Sequence, residues 1–148
     1  MSTHRRHMNR AIELAQMQHG RTGANPSVGC VILDRDARLI AEAATGDGGR
    51  PHAEQLALAN TPVGAAAGGT AYVTLEPCRL RSTDEASCSQ RLIDAGIAKV
   101  VIATRDPHPQ GAGGADRLRE AGIEVEIGLL QNIADALYRD FFASVAKE

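Results

Sequence analysis

The chain predicts an α/β fold, a three-layer α/β/α sandwich built on a mixed five-stranded sheet. Short β-branched apolar runs alternate with stretches whose apolar residues recur at helical spacing. The first two strand-like runs are separated only by Asp34-Arg35-Asp36-Ala37, a hairpin, whereas each later one follows a helical stretch and so implies a crossover. At 148 residues, with 43% hydrophobic and 23% charged residues, the chain reads as one domain (1–148) large enough for a sizeable core.

Met8, Ala11, Ile12 and Ala15 mark an amphipathic opening helix that Gly20 can stop. A loop from Arg21 to Pro26 leads to the continuous apolar run Val28 to Leu33, a buried strand, and after the hairpin to its return partner, Leu39 to Ala44. A loop containing Gly46, Gly48 and Gly49 precedes a helix over His52 to Asn60, with Pro51 at its entrance. Thr70 to Leu75 is a third strand, Ser89 to Ala95 a helix ended by Gly96, and Lys99 to Ala103 a fourth strand. The Pro/Gly-rich loop from Asp106 to Gly114 leads into a short helix over Ala115 to Ala121. Ile123, Val125 and Ile127 then alternate with Glu124 and Glu126, as in a half-exposed edge strand. Leu130, Ile133, Leu137 and Phe141 predict one closing helix with those residues as its apolar face.

Sites in open α/β sheets lie beyond the carboxyl ends of strands. Cys78 follows the third strand and Asp106 the fourth, which places both where a site belongs. His52-Ala53-Glu54, Pro77-Cys78 and Cys88 supply one imidazole, two thiols and a carboxylate. Zinc takes such nitrogen and sulfur ligands, and three protein ligands leave a fourth tetrahedral position open, as catalytic rather than structural sites do. Glu54, two residues from the histidine, need not bind metal and is placed to act as the proton shuttle. The order H-A-E…P-C-x9-C follows the zinc-deaminase signature H-x-E…P-C-x-x-C, with a longer gap between the cysteines. Such a site would let water attack an amidine-like ring carbon and release ammonia. The plain alternative is a structural zinc site or no metal.

Cys30, within VGCVIL, reads as a small buried hydrophobe; as a fourth ligand it would close the site. His4, His7 and His19 read as solvated. Gly111–Gly114 reads as a turn, although a phosphate could lie there, and Arg79 and Arg81 as solvated loop cations. Net charge is −2 and aromatics are 3%, which argues against nucleic-acid binding. No apolar run reaches the ~20 residues of a membrane span. The polar N-terminus is unlike a signal peptide, and three cysteines read as thiols or ligands, so the expected setting is cytoplasmic.

Several longer motifs go together: NPSVGCVI (25–32), PHAE (51–54), YVTLEPC (72–78), AGIAKVVIATRDPHP (95–109) and LREAGIEVEIG (118–128). With them the chain resembles the riboflavin-biosynthesis deaminases, a branch of the cytidine deaminase-like superfamily. The resemblance implies a cytidine deaminase-like fold, zinc at His52, Cys78 and Cys88, and Glu54 as acid and base. It also implies that Asn25 bonds a pyrimidinone ring, that Asp106 and His108 contact a ribosyl group, and that the substrate is a phosphoribosylated diaminopyrimidinone. Oligomers are common in that family, so a homo-oligomer acting on a small molecule is expected. Many members carry a C-terminal reductase domain, which is not expected here. The family usually writes C-S-H-x-G-[RK]-T-P-P-C where this chain has CRLRSTDEASC. That departure leaves room for the same chemistry on another pyrimidine, a purine or a small heterocyclic amine. A zinc-stabilised binding module without activity is a further alternative, against which Glu54 stands.

Overall fold

Helix α1 (Thr3–Gln18) turns Met8, Ala11, Ile12 and Ala15 inward, the four residues whose spacing predicted it. In the computed structural model, which describes residues 3–78, 87–107 and 113–146, it lies across β1 (Gly29–Leu33), β2 (Leu39–Ala44) and β3 (Thr70–Leu75). The approach is close: a Cβ on Gly29 would fall 1.8 Å from the Ala11 carbonyl oxygen, so only glycine fits beneath the helix. Between β1 and β2, Asp34 folds the turn by accepting the Asp36 and Arg38 amides with Oδ1.

The remaining elements are α2 (Ala53–Ala59), α3 (Cys88–Asp94), β4 (Lys99–Thr104), α4 (Gly114–Glu120), β5 (Glu124–Ile127), α5 (Gln131–Leu137) and α6 (Arg139–Ala146). The sheet order is β2-β1-β3-β4-β5. On β1, Gly29 meets α1 while the next residue, Cys30, faces the α2 side close enough to feel the Glu54 charge. Successive side chains point to opposite faces, so α1 and α2 cover opposite sides, with α3 and α4 following α2 in a row and α5 packed on β4. The mixed sheet and its helical layers agree with the predicted architecture.

Three expectations are corrected. The sequence predicts one antiparallel pair, but β1 runs antiparallel to both β2 and β3, and only β3–β4 and β4–β5 are parallel. The chain crosses from β2 over β1 by way of α2. The uniformly apolar β1 is buried along its whole length, whereas the partly exposed β2 stays at the edge. The closing helix is two helices, parting at Tyr138. Leu130, Leu137 and Phe141 of the expected stripe pack against the core while partly buried, Ile133 is 44% exposed, and Ala134 and Tyr138 are the buried residues of this segment. The Tyr138 hydroxyl donates to Ser27 O and bonds Thr74 deep in the protein. Finally, His4 and His7 are not simply solvated. His4 Nδ1 is hydrogen-bonded to the Tyr72 hydroxyl, and the His7 ring lies 5.2 Å from that of Tyr72. Burial, then the nearby Arg6 charge, holds His7 below its ordinary range.

Candidate active site

His52 is the residue at the N-terminal cap of α2, with extended backbone (φ −68, ψ 155), so its side chain projects from the helix start. Glu54 follows in the first turn and is buried. Cys78 comes three residues after β3 ends, and Cys88 is the first residue of α3. Ser87 caps α3 by accepting the Gln90 amide, which fixes where the helix begins and hence where Cys88 points.

These elements bring His52 Nδ1 to 3.2 Å from Cys88 Sγ, and the ligand atoms of His52, Cys78 and Cys88 all lie within 4.8 Å of one another. Cys30 does not join this group and is fully buried. The start of α3 holds Cys78 twice: the Cys88 amide donates to Cys78 Sγ (3.1 Å) and the Ser89 amide to Cys78 O (3.1 Å). An imidazole nitrogen and two sulfurs this close suit zinc, whose ligand bonds of ~2.0–2.3 Å bring its ligands within ~4 Å of one another. The fit extends outward, since an amide already supports a ligand sulfur.

The site's electrostatics separate its acids. A hydrogen bond with the Cys88 side chain, opposed by burial and reinforced by His52, holds the Cys78 thiol well below its ordinary value. Burial, then the negative charge of Cys78, pushes the Glu54 carboxyl up. A ligand sulfur is thus kept in its thiolate form beside a carboxyl that readily holds a proton.

Asn25 lies in the turn before β1, where its backbone is bonded both ways with Thr22. Its Nδ2 donates to Gly49 O at 3.1 Å, which ties it to the loop entering α2. Gly49 has φ +98, and a Cβ there would sit 2.5 Å from Asn25 Nδ2. Asp106 lies just past β4, with its amide donating to Glu76 Oε1. His108, Arg79, Arg81 and Gly111 lie outside the described residues.

Sequence reasoning missed Glu76 and Tyr138. Glu76 is a buried acid between β3 and Cys78 that accepts two backbone amides. Its signal was a carboxylate directly after the β-rich run Thr70 to Leu75. Tyr138 joins β1 to β3 beneath the site, and burial raises its hydroxyl well above the ordinary value. One of two tyrosines in the chain, it gave no comparable signal.

The family model described as the cytidine and deoxycytidylate deaminase zinc-binding region matches residues 1–104. The riboflavin biosynthesis protein RibD of Escherichia coli is 44% identical over 136 residues, 91% of this chain and 36% of that protein. The diaminohydroxyphosphoribosylamino-pyrimidine deaminase of Buchnera aphidicola is 38% identical over 92% of this chain and 91% of its own length. Among solved structures, the Thermotoga maritima diaminohydroxyphosphoribosylaminopyrimidine deaminase/5-amino-6-(5-phosphoribosylamino)uracil reductase superposes with a TM-score of 0.89 at 38% identity, covering 97% of this chain and 41% of that one. The chain spans 39% and 36% of the length of the first RibD relatives it matches.

Proposed function

Because the chain belongs to the cytidine and deoxycytidylate deaminase zinc-binding family, we propose that it removes the ring amine of a phosphoribosylated diaminopyrimidinone, as a zinc-dependent hydrolase of riboflavin biosynthesis. One observation carries the reading: buried Glu54, two residues after His52 in the first turn of α2, stands beside a His52–Cys78–Cys88 cluster that fits zinc. Zinc held by these three side chains supplies Lewis acidity that makes water a nucleophile near neutral pH. Glu54 takes the proton that water gives up and delivers it to the departing nitrogen, the role that its raised carboxyl affinity for protons supports. Asn25, fixed through Gly49, orients the pyrimidinone ring, and Asp106 and His108 take the ribosyl group.

The reading extends to a single deaminase domain over 1–148, a free small-molecule substrate, a cytoplasmic setting and a homo-oligomer. No helix among the described residues is long and apolar enough to cross a membrane.

Glu54→Gln tests the core of the reading. It keeps zinc and loses ammonia release by about 10²–10⁴-fold, the range of a positioned acid–base group; unchanged release defeats the assignment. CRLRSTDEASC favours a second reading, the same chemistry on another heterocyclic amine. Ammonia release from the phosphoribosylated aminopyrimidinone, compared with a panel of free bases and nucleosides, separates the two.

A further inference from the structure

Glu76 occupies a position that a buried acid tolerates only when its oxygens are satisfied. It is 4% exposed. Oε1 accepts the Asp106 amide at 3.1 Å and Oε2 the Ala115 amide at 2.9 Å, while its own amide donates to Thr104 O at 2.9 Å. Beside it, Pro77 O presses so close to Gly114 that a Cβ there would lie 1.6 Å away. One side chain therefore joins three segments: the end of β3 that leads to Cys78, the end of β4 that leads to Asp106, and the start of α4.

The residue type matters. Two amides converge on two separate oxygens, and a carboxylate meets both. A glutamine has one carbonyl oxygen and would turn an NH₂ group against the other amide. A simple turn needs no such group: Glu76 and Thr104 already share a backbone bond at the strand ends. What the side chain adds is a fixed distance between the backbone of Asp106 and the strand end carrying Cys78.

We propose that Glu76 is a positioning residue that sets Asp106 against the metal-ligand end of β3, and so governs recognition of the part of the substrate that Asp106 contacts. This rests on the functional reading above, in which that part is the ribosyl group.

The test is a double-mutant cycle on ammonia release from the phosphoribosylated aminopyrimidinone, with zinc content measured for every variant. Glu76→Gln lowers kcat/KM by about 10- to 100-fold, as a small misplacement of a binding group does, with KM carrying most of the change and zinc retained. Asp106→Ala has a similar effect. The double variant is no worse than Asp106→Ala alone, because Glu76 acts through Asp106. Losses that multiply, a loss confined to kcat, or no loss in Glu76→Gln overturns the proposal. If Glu76→Gln does not fold, Glu76→Asp, which keeps both oxygens on a shorter arm, goes through the same cycle under the same criteria. A wild-type protein that ignores the phosphoribosylated compound but deaminates another amine sinks the functional reading, and this inference with it. An active wild type with multiplying losses sinks the inference alone.

Discussion

Tyr138→Phe removes one oxygen and leaves the ring in place, so its cost isolates a buried hydrogen-bond chain. Tyr138 donates to Ser27 O at 2.7 Å, which obliges it to accept from Thr74 at 2.6 Å; Thr74 Oγ1 in turn accepts the Gly29 amide at 3.0 Å. Phenylalanine leaves the Ser27 carbonyl without this donor and the Thr74 hydroxyl without its acceptor, both in the interior. Two neutral bonds at ~1 kcal/mol each, with part of the desolvation penalty of the stranded groups, give a loss of about 2–3 kcal/mol. For a chain of this length that is a melting temperature lower by about 6–9 °C. Urea unfolding of zinc-saturated protein reads it as a lower midpoint at unchanged slope. Thr74→Val breaks the chain one link earlier, and the pair should couple by about 1 kcal/mol. A Tyr138→Phe loss under about 0.5 kcal/mol, or strict additivity with Thr74→Val, refutes the chain as a structural tie between β1, β3 and the C-terminal helices.

Dialysis against a chelator should abolish ammonia release and lower thermal stability, and zinc should restore both, since structural and catalytic ligation stabilise the folded state by mass action; a chelator-resistant rate refutes zinc dependence. Gly49→Ala should raise KM with zinc content unchanged, because its methyl would fall 2.5 Å from Asn25 Nδ2 and 2.7 Å from Thr22 O at a left-handed backbone position; an unaltered KM removes Asn25 from substrate binding. Glu42 is held below the usual carboxylate range by its hydrogen bond from Arg10, a partly exposed pair at 2.7 Å. A depressed carboxyl adds stability above its unfolded value and loses it as pH falls through the folded one. Glu42→Gln should therefore cost about 0.5–1 kcal/mol near pH 7, a cost that shrinks below the ordinary glutamate value of about 4 and vanishes only once the pH is under the lowered folded value. Urea midpoints that stay apart in acid contradict the pairing.

Local chemistry made much of this molecule legible. The spacing of Met8, Ala11, Ile12 and Ala15 placed α1, and the apolar run after Ser27 placed the buried β1, because burial periodicity is written directly in sequence. His52, Cys78 and Cys88 were legible for a different reason: few pressures other than a metal gather an imidazole and two thiols at strand and helix ends. What stayed hidden depends on partners far away in the chain. Nothing near Tyr138, the residue where the expected closing helix parts into α5 and α6, announces that its hydroxyl bonds Ser27 O, 111 residues earlier. Nor does the neighbourhood of Glu76 reveal that its oxygens meet amides 30 and 39 residues away. The second antiparallel pairing of β1 was equally non-local, since the crossover fixes only that β2 and β3 are parallel, not that they are neighbours.

This division has a consequence for how such a site can change. The residues of the cluster that could hold a metal are positioned by helix starts: Cys78 by the first amides of α3, Cys88 by the Ser87 cap, and His52 by the entrance to α2. Their positions follow from the starts of α2 and α3. Asn25 and Asp106 are held by single side-chain-to-backbone bonds, through Gly49 O and Glu76 respectively. On the proposed reading, altering one such bond would move a substrate contact without disturbing the cluster. A long, divergent CRLRSTDEASC segment beside an intact His52–Cys78–Cys88 cluster is what that asymmetry permits. On the proposed reading, reaction type and substrate choice rest on different supports in this fold, so each should respond to its own substitutions.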